Sequence, residues 1–325
     1  MCASVAGGLP AVASSPEASS KTIVWRARVS WHGGTAAALS LSLSVVARIV
    51  GGMDPLAGNA TGGDRALLWG LLGALADQQA AGLTAPAPAR GRCVTCFGPA
   101  APGRIRCFQC DLHVQCAPGS LASVVLPVAY AAKGGSHACH LWTYKSGQPG
   151  AQAARRVLAV LLLVFLREHG PCLWDRAGWA ASQGGNGQEA IRAGPTHLAV
   201  VPSCRGREGP HPLRALAQPC LRLPWAELAT RPGADGRVRD LDPKRFTVVG
   251  PPGAGNGGSA LEGARVLLLD DTWTTGASVQ SAAMALRRAG ASDVAAVILG
   301  RHLRQQDGTA APFSPGRCAI HLSGG

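Results

Sequence analysis

The chain has 325 residues, 47% of them hydrophobic, so it can bury a sizeable core and is long enough for one catalytic domain with additions. Its formal net charge is +13, but only four of its 31 basic residues are lysines, and glycine, proline and alanine are abundant. This composition is typical of coding bias as well as of function, so it gives only weak support for a nucleic-acid partner. Eleven cysteines in a chain of this length are not the pattern of a disulfide scaffold.

Residues 1–64 are rich in alanine, serine and glycine and show no sustained hydrophobic period, which predicts a disordered or low-complexity extension. An apolar run at 36–46 resembles part of a signal peptide, but no small-residue cleavage site follows it, and it is too short to span a bilayer. We therefore expect a cytoplasmic protein without a membrane span. Residues 65–90 are interpreted as an amphipathic helix, over 65–81, and a linker of proline and alanine.

Residues 91–120 carry two Cys-x-x-Cys pairs with ten residues between them, and the candidate ligands are Cys93, Cys96, Cys107 and Cys110. Two such pairs can close a tetrahedral thiolate site, which favours Zn²⁺ over Mg²⁺ or Ca²⁺ and, with four protein ligands, is expected to be structural. His113 or Cys116 could replace one ligand, and disulfides or spare thiols are the alternative. The remaining cysteines are scattered and interpreted as packing residues: Cys2, Cys139, Cys172, Cys204, Cys220 and Cys318.

Residues 121–302 alternate between short apolar runs and helical patterns, which predicts an α/β fold with a parallel sheet flanked by helices. A strongly apolar helix is predicted at 151–169, and its uncharged stretch of ten residues suits a core helix packed against the sheet. Before it stand Tyr144 and Lys145, where a solvated lysine beside a half-buried tyrosine is favoured over contact with a substrate. Strands are predicted at 124–130, 197–201, 246–249, 266–269 and 294–299.

A loop suited to phosphate binding follows the predicted strand at 197–201. It carries Ser203, Arg205 and Arg207, and arginine suits pyrophosphate because it stays charged and donates two N–H groups in a fork. The same residues also fit an ordinary surface turn with solvated arginines. Because a second phosphate-binding pattern occurs later in the chain, the three residues are candidates for binding phosphate groups.

That second pattern is the segment Arg265–Ser278, RVLLLDDTWTTGAS. Four apolar residues predict a buried strand, two carboxylates follow at its end, and a loop of small hydroxyl residues and glycine leads into a helix predicted at 279–289. Hydroxyl groups, glycine and the free N–H groups of a helix N-terminus all favour an anion. Asp270 and Asp271 would repel phosphate but suit vicinal hydroxyls or a divalent cation, so a sugar phosphate satisfies both halves. The alternative is a common strand–turn–helix in which aspartate caps the helix.

This segment resembles the phosphoribosyl-pyrophosphate (PRPP) motif of the type I phosphoribosyltransferases. The resemblance implies that Asp270 and Asp271 hold the ribose hydroxyls, and that the earlier loop binds the pyrophosphate through Ser203, Arg205 and Arg207. It also implies that the 5′-phosphate lies against a loop made of Thr274, Thr275, Gly276, Ala277 and Ser278. Thr272 and Trp273 depart from the motif, which usually has small or aliphatic residues there.

The order of the motifs resembles the ComF-like phosphoribosyltransferases, some of which are linked to competence and DNA uptake, and in particular an actinobacterial-type variant. That order is two Cys-x-x-Cys pairs, Tyr-Lys before an apolar helix, a Val-Pro-Ser-x-Arg-x-Arg loop, and Asp-Asp-x-x-Thr-Thr-Gly. The resemblance covers residues 91–302, with the phosphoribosyltransferase-like part at 121–302 and a tail at 303–325 outside it. Where ComF proteins carry Arg-Gly-Phe-Asn-Gln after the loop, this chain has Gly-Pro-His-Pro-Leu at 209–213.

The resemblance implies an enzyme that binds PRPP with Mg²⁺, transfers the phosphoribosyl group to an acceptor that the sequence does not identify, and releases pyrophosphate. Residues 250–259 fit either a lid or a linker. The alternative function is a non-catalytic protein that binds PRPP or a nucleotide, or assists DNA uptake, with the zinc module as an interaction surface. A homodimer is compatible with both. Phe97 and Phe108 could stack on bases, but packing against the module is favoured.

Overall fold

The computed structural model describes residues 27–31, 34–39, 83–179, 194–203, 211–218, 221–231, 239–249, 261–303, 311–313 and 318–320. Within the predicted extension it describes two short strands, β1 (Ala27–Trp31) and β2 (Gly34–Leu39), which pair antiparallel. The helix predicted at 65–81 and the glycine-rich segment at 250–259 lie outside the described residues. Arg205 and Arg207 also lie outside them, whereas Ser203 lies inside.

A mostly parallel sheet forms the centre of the described chain, as the predicted α/β class requires. The further strands are β3 (Thr84–Ala85), β4 (Val124–Ala132), β5 (His197–Val200), β6 (Glu227–Thr230), β7 (Phe246–Val249), β8 (Arg265–Trp273), β9 (Asp293–Leu303) and β10 (Ala311–Pro312). Six of them form one sheet in the order β10-β3-β4-β9-β8-β5. The four strands from β4 to β5 in that order are parallel, and β3 and β10 add an antiparallel edge.

Helices cover both faces of this sheet. They are α1 (Phe108–Cys116), α2 (Ser136–Thr143), α3 (Ala151–Arg176), α4 (Pro212–Ala217) and α5 (Ala277–Arg288). The buried residues of α2, α3 and α4 pack with one another on one face, and those of α5 pack on the other with the cysteine-rich segment. Consecutive residues of a strand point to opposite faces, so Leu267 and Leu269 join the first core while Val266 and Leu268 join the second.

The continuous apolar runs of β8 and β9 follow from this two-sided burial. Val266 to Leu269 and Val294 to Leu299 are all at most 1% exposed, because helices lie on both faces and strands on both edges. A parallel strand in such a position has no polar face to alternate with, so it appears in the sequence as an unbroken apolar run.

Helix α3 is long and apolar enough to cross a membrane, with a mean hydropathy of 1.6 over 18 residues. In the structure 67% of that stretch is buried, and Leu158, Leu162 and Leu166 are fully or almost fully enclosed against the sheet. This is the environment of a core helix, which is what the sequence predicts for this segment. The helix extends seven residues beyond the predicted end and continues through Pro171.

Two strand predictions need correction. The strand predicted at 246–249 exists, but it pairs antiparallel with β6 in a separate two-stranded sheet and does not join the parallel one. The strand predicted at 266–269 continues through both aspartates to Trp273, because Asp270 pairs with Ile298, and Thr272 with Gly300, on β9. The turn between β8 and α5 is therefore only three residues long, Thr274 to Gly276.

Gly276→Ala should lower the free energy of unfolding by about 2–5 kcal/mol. Gly276 has φ of +84°, and a methyl group there would overlap the indole of the buried Trp273, so a left-handed backbone penalty and overpacking add together. Gly263→Ala is the matched control, since Gly263 has φ of +69° but open space around the position of a methyl group, and it should cost about 1–2 kcal/mol. Urea titration of both variants measures the difference, and equal losses would contradict it.

Candidate functional site

The candidate site lies where β8 leaves the sheet. The carboxyl ends of the parallel strands meet at this edge, and ligands of open α/β sheets bind beyond such edges. Asp270 and Asp271 stand on the last part of β8, the turn of Thr274 to Gly276 follows, and α5 begins at Ala277. All of the residues predicted for the ribose and the 5′-phosphate are therefore contiguous at one edge.

Asp271 is the most tightly held of these residues. Its side chain is 5% exposed, and its Oδ2 atom accepts a hydrogen bond from the hydroxyl of Tyr144. The same oxygen lies 2.6 Å from Nζ of Lys145, which forms an ion pair with it. The Arg155 guanidinium on α3 donates to the Tyr144 backbone carbonyl at 2.9 Å and so fixes the end of α2. A buried carboxylate thus has a neutral donor and a cation on a single oxygen.

These contacts correct the interpretation of Tyr144 and Lys145 made from the sequence. Tyr144 is fully buried, whereas a half-buried position was expected. Lys145 is about two-thirds buried and forms an ion pair with Asp271, whereas a solvated side chain was expected. Both residues belong to the site. No local pattern predicts this contact, since Asp271 lies 127 residues beyond Tyr144 in the chain and the parallel pairing of β4, β9 and β8 brings α2 to it.

Asp270 has a different environment from its neighbour. Its Oδ1 atom accepts a hydrogen bond of 2.9 Å from the backbone N–H of Asp271. Burial is the first reason, and the charge of Asp271 the second, that the pKa of Asp270 is raised well above its usual value, although Lys145 opposes this effect. The pair therefore combines one carboxylate matched to a cation with a second carboxyl that is costly to ionise, a combination more frequent at functional sites than elsewhere.

The turn before α5 presents few side chains and several backbone groups. Thr274 is exposed, and Thr275 donates to the Arg239 carbonyl at 3.1 Å and accepts from the N–H of Ala277 at 3.4 Å. Ala277 is 1% exposed, so only its backbone is available to a ligand, and Ser278 is half-buried on the first turn of the helix. The free N–H groups and the dipole of the α5 N-terminus add a partial positive charge to this turn.

Ser203 lies at the same edge of the sheet. Strand β5 is the neighbour of β8, and the backbone N–H of Val201 continues the pairing with a hydrogen bond of 3.0 Å to the Leu269 carbonyl. Ser203 follows two residues later and is half-buried. The described segment therefore ends at Ser203, close to the aspartate pair on the neighbouring strand.

The four cysteines of the predicted zinc module come together as one group that can hold a metal ion. The Sγ atoms of Cys93, Cys96, Cys107 and Cys110 all lie within 4.8 Å of one another. Cys96 and Cys107 are 3.8 Å apart, close to the edge of about 3.8 Å that a tetrahedron with Zn–S bonds of about 2.3 Å requires. Hydrogen bonding among the four thiols lowers the pKa of Cys93 and Cys107, that of Cys107 to about 6, and raises the pKa of Cys96 and Cys110, so a metal ion would have to displace protons from the latter two.

This four-cysteine group is built into the core and not attached by a linker. Cys93, Cys96 and Cys110 are at most 2% exposed and pack in the core on the α5 face of the sheet. Tyr130 on β4 donates its hydroxyl to the Phe97 carbonyl at 2.7 Å. Phe97 is 6% exposed and packs inside, as favoured from the sequence, whereas Phe108 is 76% exposed.

Arg301, on β9, links the cysteine group to the turn before α5, and the sequence analysis missed it. Its guanidinium lies against Gly98, where a side chain would overlap it, and its Nη1 atom donates to the carbonyls of Trp273 and Thr274 at 3.3 Å each. Arg301 is only 8% exposed. An arginine at the end of an otherwise apolar run was the available signal, because a charge in that position must find buried partners.

Comparison with known proteins adds little to this geometry. No protein-family model matches the chain, and no curated protein matches it either. Among solved structures, it is similar to a hypoxanthine phosphoribosyltransferase from Staphylococcus aureus, with 11% sequence identity and a TM-score of 0.21, over 34% of this chain and 61% of that one. So small a superposition assigns neither function nor family, and the narrower ComF-like resemblance has no support from these matches.

Asp270→Asn should stabilise the protein increasingly as the pH rises. Because its pKa is raised on folding, Asp270 holds its proton more tightly in the folded chain than in the unfolded chain. The carboxyl therefore stabilises the fold below about pH 4, and this stabilisation is lost as the pH rises through the raised pKa. Asparagine keeps the shape without the titration. We expect its melting temperature to exceed that of the wild type by at least about 2 °C at pH 8, and by less at pH 4.5.

The control for this comparison is Asp175→Asn, which neutralises an exposed aspartate at the end of α3. It should leave the difference in melting temperature near zero at both pH values. A stabilisation by Asp270→Asn that is the same at pH 4.5 and pH 8 would contradict the proposed origin of the effect in the buried carboxyl.

Proposed function

We propose that the chain binds PRPP together with Mg²⁺ and transfers its phosphoribosyl group to an acceptor. The observation that carries this proposal is the joining of the aspartate pair to the Thr274–Gly276 turn and the α5 N-terminus at the carboxyl edge of a parallel sheet. Few ligands need carboxylates and an anion-binding turn side by side. A ribose 5-phosphate unit has vicinal hydroxyls for the first and a phosphate for the second.

The two aspartates have unequal parts in this proposal. Asp271 is fixed by Tyr144 and Lys145 through one oxygen, so its other oxygen can accept a hydrogen bond from a ribose hydroxyl without rearrangement. Asp270 is held beside it, and burial and the charge of Asp271 raise its pKa and make it costly to ionise despite Lys145. Positive charge develops on the ribose ring as pyrophosphate leaves, and that charge favours the ionised form of both carboxyls, so they stabilise the transition state more than the ground state.

The phosphate groups are assigned to the two loops. The 5′-phosphate binds the hydroxyls of Thr274, Thr275 and Ser278 and the backbone of Gly276 and Ala277. Pyrophosphate binds Ser203, Arg205 and Arg207. The guanidinium groups of the two arginines stabilise the negative charge that appears on the leaving pyrophosphate when the C1′–oxygen bond breaks. Mg²⁺ supplies further charge neutralisation on the PRPP oxygens when it is bound. The acceptor attacks C1′ with a lone pair and loses a proton.

Zinc is the metal that we propose for the four-cysteine group. Its donors are all soft sulfur atoms in a buried, closed arrangement, which suits Zn²⁺ and excludes hard cations such as Mg²⁺. Since four protein ligands leave no open position, the metal is structural. It holds the Gly98 turn against Arg301, and Arg301 in turn holds two carbonyls next to the proposed phosphate turn.

Titration calorimetry with PRPP and Mg²⁺ tests the proposed function. The wild type should bind PRPP, and Asp270→Asn/Asp271→Asn should bind at least about tenfold more weakly, a loss of about 1.4 kcal/mol or more, because the ribose hydroxyls lose charged acceptors. Asp175→Asn/Glu262→Gln removes the same charge from two exposed positions and should leave the affinity unchanged. Binding by the wild type justifies a screen of acceptors for pyrophosphate release.

Absence of PRPP binding by the folded wild type would overturn the proposal. So would equal affinity of the wild type and the Asp270→Asn/Asp271→Asn variant, since the ligand would then lie elsewhere. The circular dichroism of each variant identifies any loss of binding that is caused by unfolding.

A second candidate function, an interaction surface on the cysteine-rich segment, is favoured by a separate observation. Five of the seven large apolar side chains that are exposed in the described part of the chain belong to this segment: Val94, Ile105, Phe108, Leu112 and Val114. Exposed apolar side chains grouped in this way are typical of protein interfaces. A second copy of the chain is the simplest partner, and it would make the protein a homodimer.

Light scattering of the wild type and of Ile105→Ser/Phe108→Ser tests this second candidate. The wild type should have the mass of a dimer at micromolar concentration, and the variant should have the mass of a monomer. Val249→Ser, at a 50% exposed residue of β7, is the control and should remain dimeric. A monomeric wild type that binds single-stranded DNA with an affinity falling steeply with salt would favour a nucleic-acid partner instead.

A further inference from the structure

A second group of metal-binding side chains lies on α3, away from the site and from the four cysteines. His169 and Cys172 on the helix meet Cys318 from the C-terminal segment, and their ligand atoms all lie within 4.8 Å of one another. The sequence analysis interpreted both cysteines as scattered packing residues. In the structure they are neighbours of each other and of an imidazole, which packing alone does not require.

Helix geometry places two of the three donors. His169 and Cys172 are three residues apart on α3, so their side chains lie on the same face of the helix. The His169 ring packs edge-on against Phe165, with ring centroids 5.0 Å apart and planes at 61°, which fixes its orientation. His169 is 2% exposed, whereas Cys172 is half-buried and leaves a route from solvent to the group.

The third donor comes from the far end of the chain. Cys318 and Ala319 are 4% and 1% exposed, and both belong to the core that α3 forms with the sheet. Neither Cys172 nor Cys318 is in a disulfide. Burial beside α3 thus sets the position of residues 318–320. Cys318 is the residue of this segment whose side chain can bind a metal ion.

This group is independent of the four-cysteine group. Cys318 packs in the core on the α3 face of the sheet, whereas Cys93, Cys96 and Cys110 pack in the core on the α5 face. The sheet separates the two cores. One metal ion therefore cannot serve both groups, and loss of one group need not remove the other.

We propose that His169, Cys172 and Cys318 form a second metal site, which takes a thiophilic ion such as Zn²⁺. One imidazole nitrogen and two thiolates are soft donors that suit zinc and are poor ligands for Mg²⁺ or Ca²⁺. The donor atoms need to approach by less than about 1 Å to reach the edges of about 3.8 Å of a tetrahedral site. Binding releases the two thiol protons to solvent, and neutral imidazole donates its lone pair.

Three protein ligands leave the fourth position of the ion to water or to a small ligand, unlike the closed four-cysteine group. The bonds join α3 to residues 318–320 and so fix the C-terminal segment on the core. Cys318 and Ala319 are already buried in the core beside α3, and the bonds to the metal add to that packing. The bound ion therefore strengthens the attachment of residues 318–320 to α3.

Metal analysis of the full-length protein, purified with zinc and then dialysed, tests the proposal. The wild type should contain two zinc ions per chain. Cys172→Ser and Cys318→Ser should each contain one, because two donors do not hold the ion through dialysis. Cys116→Ser is the matched control: it removes an exposed cysteine that belongs to neither group, and it should still contain two.

Cobalt substitution provides a second measurement that does not depend on total metal content. The Co–S absorption of the Cys172→Ser protein should be about two-thirds of that of the wild type, because four of six cobalt–sulfur bonds remain. His169→Asn also leaves two donors, so it should lose the second zinc ion on dialysis, and a cobalt titration should show a second site at least about tenfold weaker than that of the wild type.

A wild-type protein whose one zinc ion is lost in Cys93→Ser/Cys96→Ser, or a Cys172→Ser protein that matches the wild type in zinc content and cobalt spectrum, would overturn the proposal. So would a Cys172–Cys318 disulfide found by mass spectrometry in the wild type as purified without an oxidant. Should the zinc content of the wild type be one ion and that of Cys93→Ser/Cys96→Ser also be one, the ion would belong to the second group and the four-cysteine assignment would fail instead.

Discussion

The pairing of β8 with β9 is the constraint on which the rest of the structure depends. The register runs from Arg265 opposite Asp293 to Trp273 opposite Arg301, and the apolar residues between these ends are buried on both faces of the sheet. A shift of one residue would move every side chain of a strand to the other face, so burial on both sides selects a single register. That register delivers the aspartate pair and Arg301 to the same edge of the sheet.

The charges at this edge are more numerous than the fold needs. One ion pair, between Lys145 and Asp271, would be enough to attach the end of α2 to the sheet, and Tyr144 strengthens it. Asp270 adds a second carboxyl that burial and the adjacent charge make costly to ionise. A role in packing does not explain why the chain bears the free-energy cost of ionising Asp270. A ligand with hydroxyl groups and a developing positive charge would offset that cost. This surplus carboxyl is therefore a stronger argument for a site than the ion pair.

The sequence predicts the parts of this architecture that depend on local patterns. Unbroken apolar runs indicate doubly covered strands, paired cysteines indicate one thiolate group, and the turn of threonines and glycine marks the start of α5. Contacts between distant segments have no such pattern. The continuation of β8 through Asp270 to Trp273 depends on hydrogen bonds to β9, which outweigh the weak strand preference of aspartate. The partner of β7, the role of Tyr144 and the meeting of Cys172 with Cys318 likewise require the folded chain.

The buried guanidinium of Arg301 makes the cysteine-rich segment part of the candidate site. It contacts Gly98 on one side and the carbonyls of Trp273 and Thr274 on the other, so a single charged group joins the two. Four thiolates around a divalent ion carry a net negative charge, which favours a cation in this position. The Gly98 turn is also held by hydrogen bonds of the protein, from the Cys93 N–H to the Gly98 carbonyl at 2.8 Å and from the Tyr130 hydroxyl to the Phe97 carbonyl at 2.7 Å, and the proposed metal would add to this support. The cysteine group therefore supports the shape of the turn before α5, although none of its atoms needs to touch a ligand.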